Sequence, residues 1–182
     1  MLRLGFGVGV SAGRGRRAPA VDRGVPIAPS TNCSVAPEGD GWLITKTAGG
    51  SAYNAQAVSA QAVGDFLLRI RFAAGGFALG GMSGDPGAGS DLASIRWGLE
   101  YYRAGNSLYV YRDGASVPGA VAPFDGSYGW IRRSGGRVKW RFGATFEGGA
   151  EILDESADGA PAWFDASIYS QGAQIAVRLI AL

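Results

Sequence analysis

Few side chains in this sequence could act as catalysts. The chain contains no histidine, which excludes Ser–His–Asp and Cys–His triads, imidazole general bases and nearly all zinc sites. Cys33 is the single cysteine, so no internal disulfide can form, and with no basic partner nearby in sequence we interpret it as a packing residue. The spacing Gly5-x-Gly7-x-Gly9 is superficially that of a phosphate loop. A phosphate loop follows a strand, however, and too few residues precede Gly5 to form one. We therefore predict no catalytic residue and no enzyme.

Aromatic side chains are better candidates, for binding chemistry. Sugars present flat C–H faces that pack on aromatic rings, while their hydroxyls hydrogen-bond to polar side chains. The core of a folded domain also needs large rings, so each aromatic residue could serve either purpose. The aromatic residues concerned lie in the middle of the chain: Trp97, Tyr101, Tyr109, Tyr111, Tyr128, Trp130 and Trp140.

Residue alternation separates the two roles in one segment. Trp97, Leu99 and Tyr101 fall on one face of a strand, and the alternate residues from Arg96 to Tyr102 fall on the other. If the first face is core, Arg96 and Tyr102 are exposed. Our candidate ligand-binding residues are Arg96, Tyr102, Tyr128, Trp130, Asp85 and Asp91.

Asp85 and Asp91 belong to that set because they flank a glycine-rich loop, residues 83–91. Carboxylates and carbonyls on such a loop could present oxygen atoms to calcium. A plain surface loop is the favoured interpretation, and we predict neither a metal site nor a cofactor.

Residues 1–31 are predicted to form an extended arm. Repeated glycines weaken any helix there, and Pro19, Pro26 and Pro29 favour extended backbone. Residues 1–24 carry a net charge of +4 and the remainder −2, so the pI of 8.8 reflects the arm. We expect the arm to dock into a protein groove, and nucleic-acid binding is less favoured because only one aromatic ring accompanies the arginines. The docking residues are Arg3, Leu4, Phe6, Arg14, Arg16 and Arg17.

The N-terminal segment is not predicted to enter a membrane. The sequence contains no run of about 18 apolar residues, which a transmembrane helix would need. The arginines between Arg14 and Arg17 follow the first apolar stretch, where a signal-peptide cleavage region should be neutral and small. We therefore expect neither membrane insertion nor secretion through a signal peptide.

From residue 32 onward the sequence alternates with a period of two and is punctuated by turn residues. We predict roughly ten to twelve short strands and no helix of useful length, which is typical of an all-β sandwich or barrel. We also expect the apolar run Ile175–Leu182 to form a buried strand. The clearest predicted strands are 42–47, 52–61, 65–72, 77–82, 95–102, 107–112, 128–133, 137–142, 162–169 and 174–182.

Three motifs give the chain a family resemblance. They are K-T-x-G-G-S-x-Y-N (Lys46–Asn54), R-x-G-G-x-V-K-W-R-F-G (Arg133–Gly143) and F-D-A-S-I-Y (Phe164–Tyr169). In this order they make residues 32–182 similar to the concanavalin-like or SPRY-like jelly rolls of bacteriophage virion proteins and bacterial surface proteins. The hairpin lacks the asparagine usual before Gly143. The arm resembles the N-termini of tail-tip, head-fibre or spike proteins of phages and gene transfer agents.

The resemblance implies a concanavalin-like jelly-roll β-sandwich with an extended N-terminal arm. It further implies a non-enzymatic virion protein, made in the bacterial cytoplasm, whose arm docks to other particle proteins and whose sandwich is displayed to host polysaccharide. Virion proteins are usually symmetric multimers, so we expect a homo-oligomer.

Two alternatives to the virion protein stay open. One is a free or cell-surface carbohydrate-binding module. The other is a glycan-active hydrolase, which is less favoured. Glycosidases on this scaffold place carboxylates at E-x-D-x-x-E spacing, and the nearest segment, Glu151–Glu155, does not match it.

Overall fold

The computed structural model describes residues 21–74, 76–86 and 92–182. Within these ranges the chain forms fourteen β-strands, arranged as two seven-stranded antiparallel sheets, and no α-helix. The predicted all-β sandwich is therefore confirmed for this part of the chain. The predicted arm residues Arg3, Leu4, Phe6, Arg14, Arg16 and Arg17, together with Asp91, lie outside the described residues.

Sheet A has the strand order β1-β4-β13-β6-β7-β8-β9. Its strands are β1 (Ile27–Thr31), β4 (Ala55–Ser59), β6 (Ala78–Ser83), β7 (Ile95–Tyr102), β8 (Ser107–Arg112), β9 (Ala115–Pro123) and β13 (Trp163–Ile168). Sheet B has the order β12-β11-β10-β5-β14-β3-β2. Its strands are β2 (Cys33–Glu38), β3 (Gly41–Lys46), β5 (Phe66–Ala74), β10 (Tyr128–Ser134), β11 (Arg137–Gly143), β12 (Ala150–Ser156) and β14 (Gln174–Ala181).

The hydrophobic core lies between the two sheets. In β5 the alternation read from the sequence is confirmed, because Phe66, Leu68, Ile70 and Phe72 are all buried. The apolar strand β14 runs between β5 and β3 at the centre of sheet B, as its composition predicts. Other residues of the same core include Ile44, Leu99, Val110, Ile131, Val138, Trp140, Phe164, Ile175 and Leu179.

The sandwich begins earlier than the predicted boundary at residue 31. The amide of Val25 donates a hydrogen bond to the carbonyl of Leu179 at 2.8 Å, and Ile27–Thr31 pairs with β4. Asn32, at a φ of 50°, turns the chain from sheet A into sheet B. The sequence of residues 27–31 predicts an arm because an edge strand that contains proline has the composition of an extended linker.

A buried cation closes one end of the sandwich. The guanidinium of Arg133, which is 1% exposed, donates hydrogen bonds to the carbonyls of Ala160 and Gly64. It lies 5.4 Å from the ring of Phe66 and 5.2 Å from the ring of Trp97. This arginine therefore has a structural role, tying together two loops that bound the core.

None of the helical segments in the described ranges is long and apolar enough to span a membrane.

Candidate functional site

An open groove lined by aromatic rings crosses the outer face of sheet A, the face turned away from sheet B. One part of it is a cavity of about 360 Å³, a size within the range of small-molecule sites. Two adjacent strands supply one side: β7 with Glu100 and Tyr102, and β8 with Tyr109. We call this the aromatic groove, and its six residues are Tyr53, Phe77, Glu100, Tyr102, Tyr109 and Tyr169.

The five rings of the aromatic groove form a continuous strip. Ring centroids are 5.1 Å apart for Tyr53 and Tyr169 and 5.7 Å apart for Tyr169 and Phe77. The strip continues from Phe77 to Tyr102 at 4.8 Å and from Tyr102 to Tyr109 at 6.2 Å. These edge-on and tilted contacts are the arrangements that aromatic pairs prefer, so each ring restrains the next.

Glu100 places a carboxylate beside this strip. It is the cross-strand partner of Tyr109, and its Oε1 accepts a hydrogen bond of 2.8 Å from the hydroxyl of Tyr53. Burial, followed by this hydrogen bond, raises the pKa of Tyr53 well above its ordinary value. The phenol therefore stays protonated and orients the Glu100 carboxylate.

A buried ammonium group holds one wall of the aromatic groove in place. Lys46 is 1% exposed, and its Nζ donates toward four oxygen atoms at 2.5–3.1 Å. These are the carbonyl oxygens of Ala52, Ile168 and Tyr169 and the Oδ1 of Asn54. Desolvation lowers the pKa of Lys46 below its ordinary value. The ammonium thus ties the loop that carries Tyr53 to the end of β13, which carries Tyr169.

The position of Phe77 depends on a glycine. Gly76 has a φ of 82°, and a Cβ there would lie 1.7 Å from the Oγ of Ser170. That hydroxyl instead accepts a hydrogen bond of 3.1 Å from the amide of Phe77. A side chain at position 76 would therefore displace Phe77 from its contact with Tyr169.

A second buried polar group lies on the outer face of sheet A. Asp165 is 1% exposed; the Nε2 of Gln56 donates to both of its carboxyl oxygens at 3.2 Å, and the hydroxyl of Ser94 lies 3.4 Å from Oδ2. Burial raises the pKa of Asp165 to about 7. Beside it, Leu79, Ile95 and Tyr111 form a small apolar cluster.

Of the predicted ligand residues, the structure places Tyr102 in the aromatic groove, 38% exposed. Tyr109, named among the aromatic candidates, lies beside it. The predicted inward orientation of Trp97, Leu99 and Tyr101 is confirmed, since all three pack in the core cluster. A ligand contact by Tyr102 stays a prediction.

Arg96 does not line the aromatic groove, because it lies at the opposite end of β7 from Tyr102. A β-bulge in the pairing of β6 with β7 places Ile95 opposite Ser83 and Trp97 opposite Met82. Arg96 is the extra residue of this bulge, at the start of β7. There it pairs with Asp158 at 2.7 Å, and its guanidinium lies 4.6 Å from the ring of Trp97.

Tyr128 and Trp130 lie on the opposite side of the molecule, on β10 of sheet B. Trp130 is only 9% exposed and donates from Nε1 to the carbonyl of Gly143 at 2.9 Å. Tyr128 packs under the guanidinium of Arg69, 4.8 Å away. Tyr128 and Trp130 therefore do not share a surface with Tyr102, because β10 belongs to sheet B and β7 to sheet A, and a ligand contact by either stays a prediction.

The remaining predicted residues give no metal site in the described ranges. Asp85 is exposed, and its amide bonds to the hydroxyl of Ser83 at 3.1 Å. Across the described residues, no group of three or more His, Cys, Asp or Glu side chains could hold a metal ion. Burial raises the pKa of the Cys33 thiol, which donates to the carbonyl of Gln56 at 2.8 Å.

Sequence reasoning did not select Tyr53, Phe77, Glu100 or Tyr169. The sequence contains an indication for three of them. Glu100 stands two positions before Tyr102 and so shares its strand face, and Tyr53 and Tyr169 belong to the motifs Lys46–Asn54 and Phe164–Tyr169. Phe77 carries no such signal, since it follows a turn.

The fold defines a class, the concanavalin-like and SPRY-like β-sandwiches. Among solved structures, the chain is similar to the TRIM65 PSpry domain, with a TM-score of 0.59 at 12% identity over 85% of this chain and 90% of that one. It is also similar to the carbohydrate-binding module CBM66 from Bacillus subtilis, with a TM-score of 0.52 at 15% identity over 84% and 91%. A legume lectin-like domain from Entamoeba histolytica gives a TM-score of 0.53 at 12% identity over 85% and 90%.

These likenesses establish the predicted fold class, an all-β concanavalin-like jelly roll, for the described residues. No protein-family model matches the sequence. No curated protein matches it either.

Proposed function

We propose that this protein is a glycan-binding module and that the aromatic groove is its binding site. The observation that carries the proposal is the continuous strip of five rings on an open sheet face, with Glu100 and tyrosine hydroxyls beside it. Sugar C–H faces stack on rings presented in this way, and the polar groups can hydrogen-bond to hydroxyls. Two structures of similar fold are named as a carbohydrate-binding module and a lectin-like domain, which supports the proposal.

We propose binding without hydrolysis. Glycoside hydrolysis uses a pair of carboxyl groups that flank the scissile bond. The described lining of the aromatic groove supplies a single carboxylate, Glu100. Asp165 is 1% exposed and is not among the described residues that line the aromatic groove.

Replacing Tyr102 by alanine should weaken glycan binding by about tenfold, because it removes the one ring that lines both cavities of the groove. A glycan array would identify the ligand, and calorimetry with that ligand would measure the affinity. The matched control is Tyr128→Ala. This variant removes a tyrosine ring from sheet B, on the opposite side of the molecule, and should leave the affinity for the glycan unchanged. Equal losses in both variants, or an array without any bound glycan, would contradict the proposal.

We further propose that the module is displayed on a phage or gene-transfer-agent particle, assembled as a homo-oligomer and anchored through its basic N-terminal segment. The support is the charge of that segment together with the resemblance of the sequence to virion proteins. Deleting residues 1–20 should abolish incorporation into particles. It should leave the sandwich folded, because the described contacts begin with Asp22 and Val25. Particles that still incorporate the shortened protein would refute this placement.

A further inference from the structure

We propose that the glycan bound by the aromatic groove carries free amino groups, so that the ligand is a cationic amino sugar polymer. This inference rests on the proposed function and specifies its ligand class. It follows from the charge of the groove and from the position of Glu100 along it.

Among the described residues, no Lys or Arg pairs with Glu100, whereas two other carboxylates that hydrogen-bond to residues of β7 and β8 have an arginine partner. Asp158 pairs with Arg96 and Glu155 pairs with Arg112, each at 2.7 Å. Among the described residues, the one partner of the Glu100 carboxylate is the neutral hydroxyl of Tyr53, which donates to Oε1. A cationic group on a ligand would stabilise this half-buried carboxylate, which the described part of the protein leaves without a positive charge.

The rings around Glu100 favour the same sign of charge. The face of an aromatic ring is electronegative and attracts ammonium groups. This attraction becomes stronger as water is excluded. The described residues that line the groove include no Lys or Arg. Anionic sugars such as uronic acids would therefore be repelled, whereas a protonated amine would be attracted both by the carboxylate and by the rings.

The shape of the groove points to a chain of sugars and not to an isolated ammonium ion. Glu100 and Tyr102 line two cavities at once, the first with Tyr53, Phe77 and Tyr169 and the second, of about 200 Å³, with Tyr109 and Ser116. The carboxylate thus stands at the junction of two compartments. Adjacent sugar units of one chain would occupy the two compartments, with an amino group directed at Glu100.

The experiment compares three hexasaccharides by calorimetry with the full-length protein, at low salt and at a pH where the sugar amine is protonated. The probes are the β-1,4-linked hexamers of glucosamine, N-acetylglucosamine and glucose. We expect the glucosamine hexamer to bind about tenfold more tightly than the two neutral hexamers. Glu100→Gln should remove this preference, reducing the difference between the glucosamine hexamer and the neutral hexamers to about twofold or less.

Asp125→Asn is the matched control, since it removes an exposed carboxylate from the loop before β10 and should keep the preference intact. If the three hexamers bind equally to the wild type, or if Glu100→Gln keeps the preference, the inference is wrong while the proposed function stands. If no hexamer binds and the glycan array is also empty, the proposed function fails. A trimethyllysine peptide or free choline that binds more tightly than every sugar would overturn the assignment to glycans.

Discussion

Raising the pH from about 4 to about 7 should lower the free energy of unfolding by about 4 kcal/mol through the single carboxyl group of Asp165. In the folded protein the pKa of Asp165 is raised to about 7 by burial, whereas in the unfolded chain it is near 3.9. Between these two values the folded state keeps a proton that the unfolded state has lost. The stabilisation is therefore complete below about pH 4, falls as the pH rises and is lost above about pH 7.

Urea unfolding at a series of pH values would measure this effect, with Asp165→Asn as the test variant. The difference in stability between wild type and variant should change steeply between the two pKa values and be constant outside them. Asp125→Asn is the control, because hydrogen bonds from Ser127 lower the pKa of Asp125 and place its titration below this window. Parallel stability profiles for wild type and Asp165→Asn would show that the carboxyl group titrates normally.

Replacing Lys46 by methionine should lower the free energy of unfolding by about 3 kcal/mol and also weaken glycan binding. Methionine preserves the length of the side chain but donates no hydrogen bond. The buried oxygen atoms around Nζ, three of them backbone carbonyls, would lose this donor. The loop that carries Tyr53 would then be held at the end of β13 by the backbone bond from Ala52 to Tyr169 without the ammonium, so the ring at this end of the strip would be less well fixed.

Urea unfolding and calorimetry with the ligand found on the array would measure the two effects. Lys139→Met is the matched control: Lys139 is partly exposed and pairs with Asp154 at 3.0 Å, so its loss should cost less than about 1 kcal/mol. A Lys46→Met protein as stable as the wild type would mean that water replaces the ammonium without cost. That result would show that Lys46 is not needed to hold the residues of the aromatic groove in place.

The interior strands of both sheets could be predicted from the sequence, but the edge strands could not. Residues buried on one face produce a strict alternation, as in Phe66–Phe72, and this pattern identifies a strand without further information. The strands not predicted as such are β1, β2, β9 and β12, which are the four edges of the two sheets. An edge strand is exposed and tolerates proline, as at Pro29, Pro37 and Pro118, so its sequence resembles a loop.

The candidate site was only partly predictable for a related reason. Alternation in β7 correctly separated Tyr102 from Tyr101, but it gives no indication that Tyr53 and Phe77 lie beside Tyr102. The groove also unites segments far apart in the chain: Lys46 bonds to the carbonyl of Ile168, 122 positions away. Local patterns describe one strand at a time, and contacts between distant strands depend on a register that is fixed only by the whole sandwich.

The central place of β14 also constrains the order in which the domain can be assembled during synthesis. Gln174–Ala181 hydrogen-bonds to β5 on one side and to β3 on the other. Until this segment has emerged from the ribosome, sheet B consists of two separate halves, and each half presents an unpaired edge. Completion of sheet B therefore has to wait for β14, and chaperones that shield open strand edges would have their greatest effect on this domain before that moment.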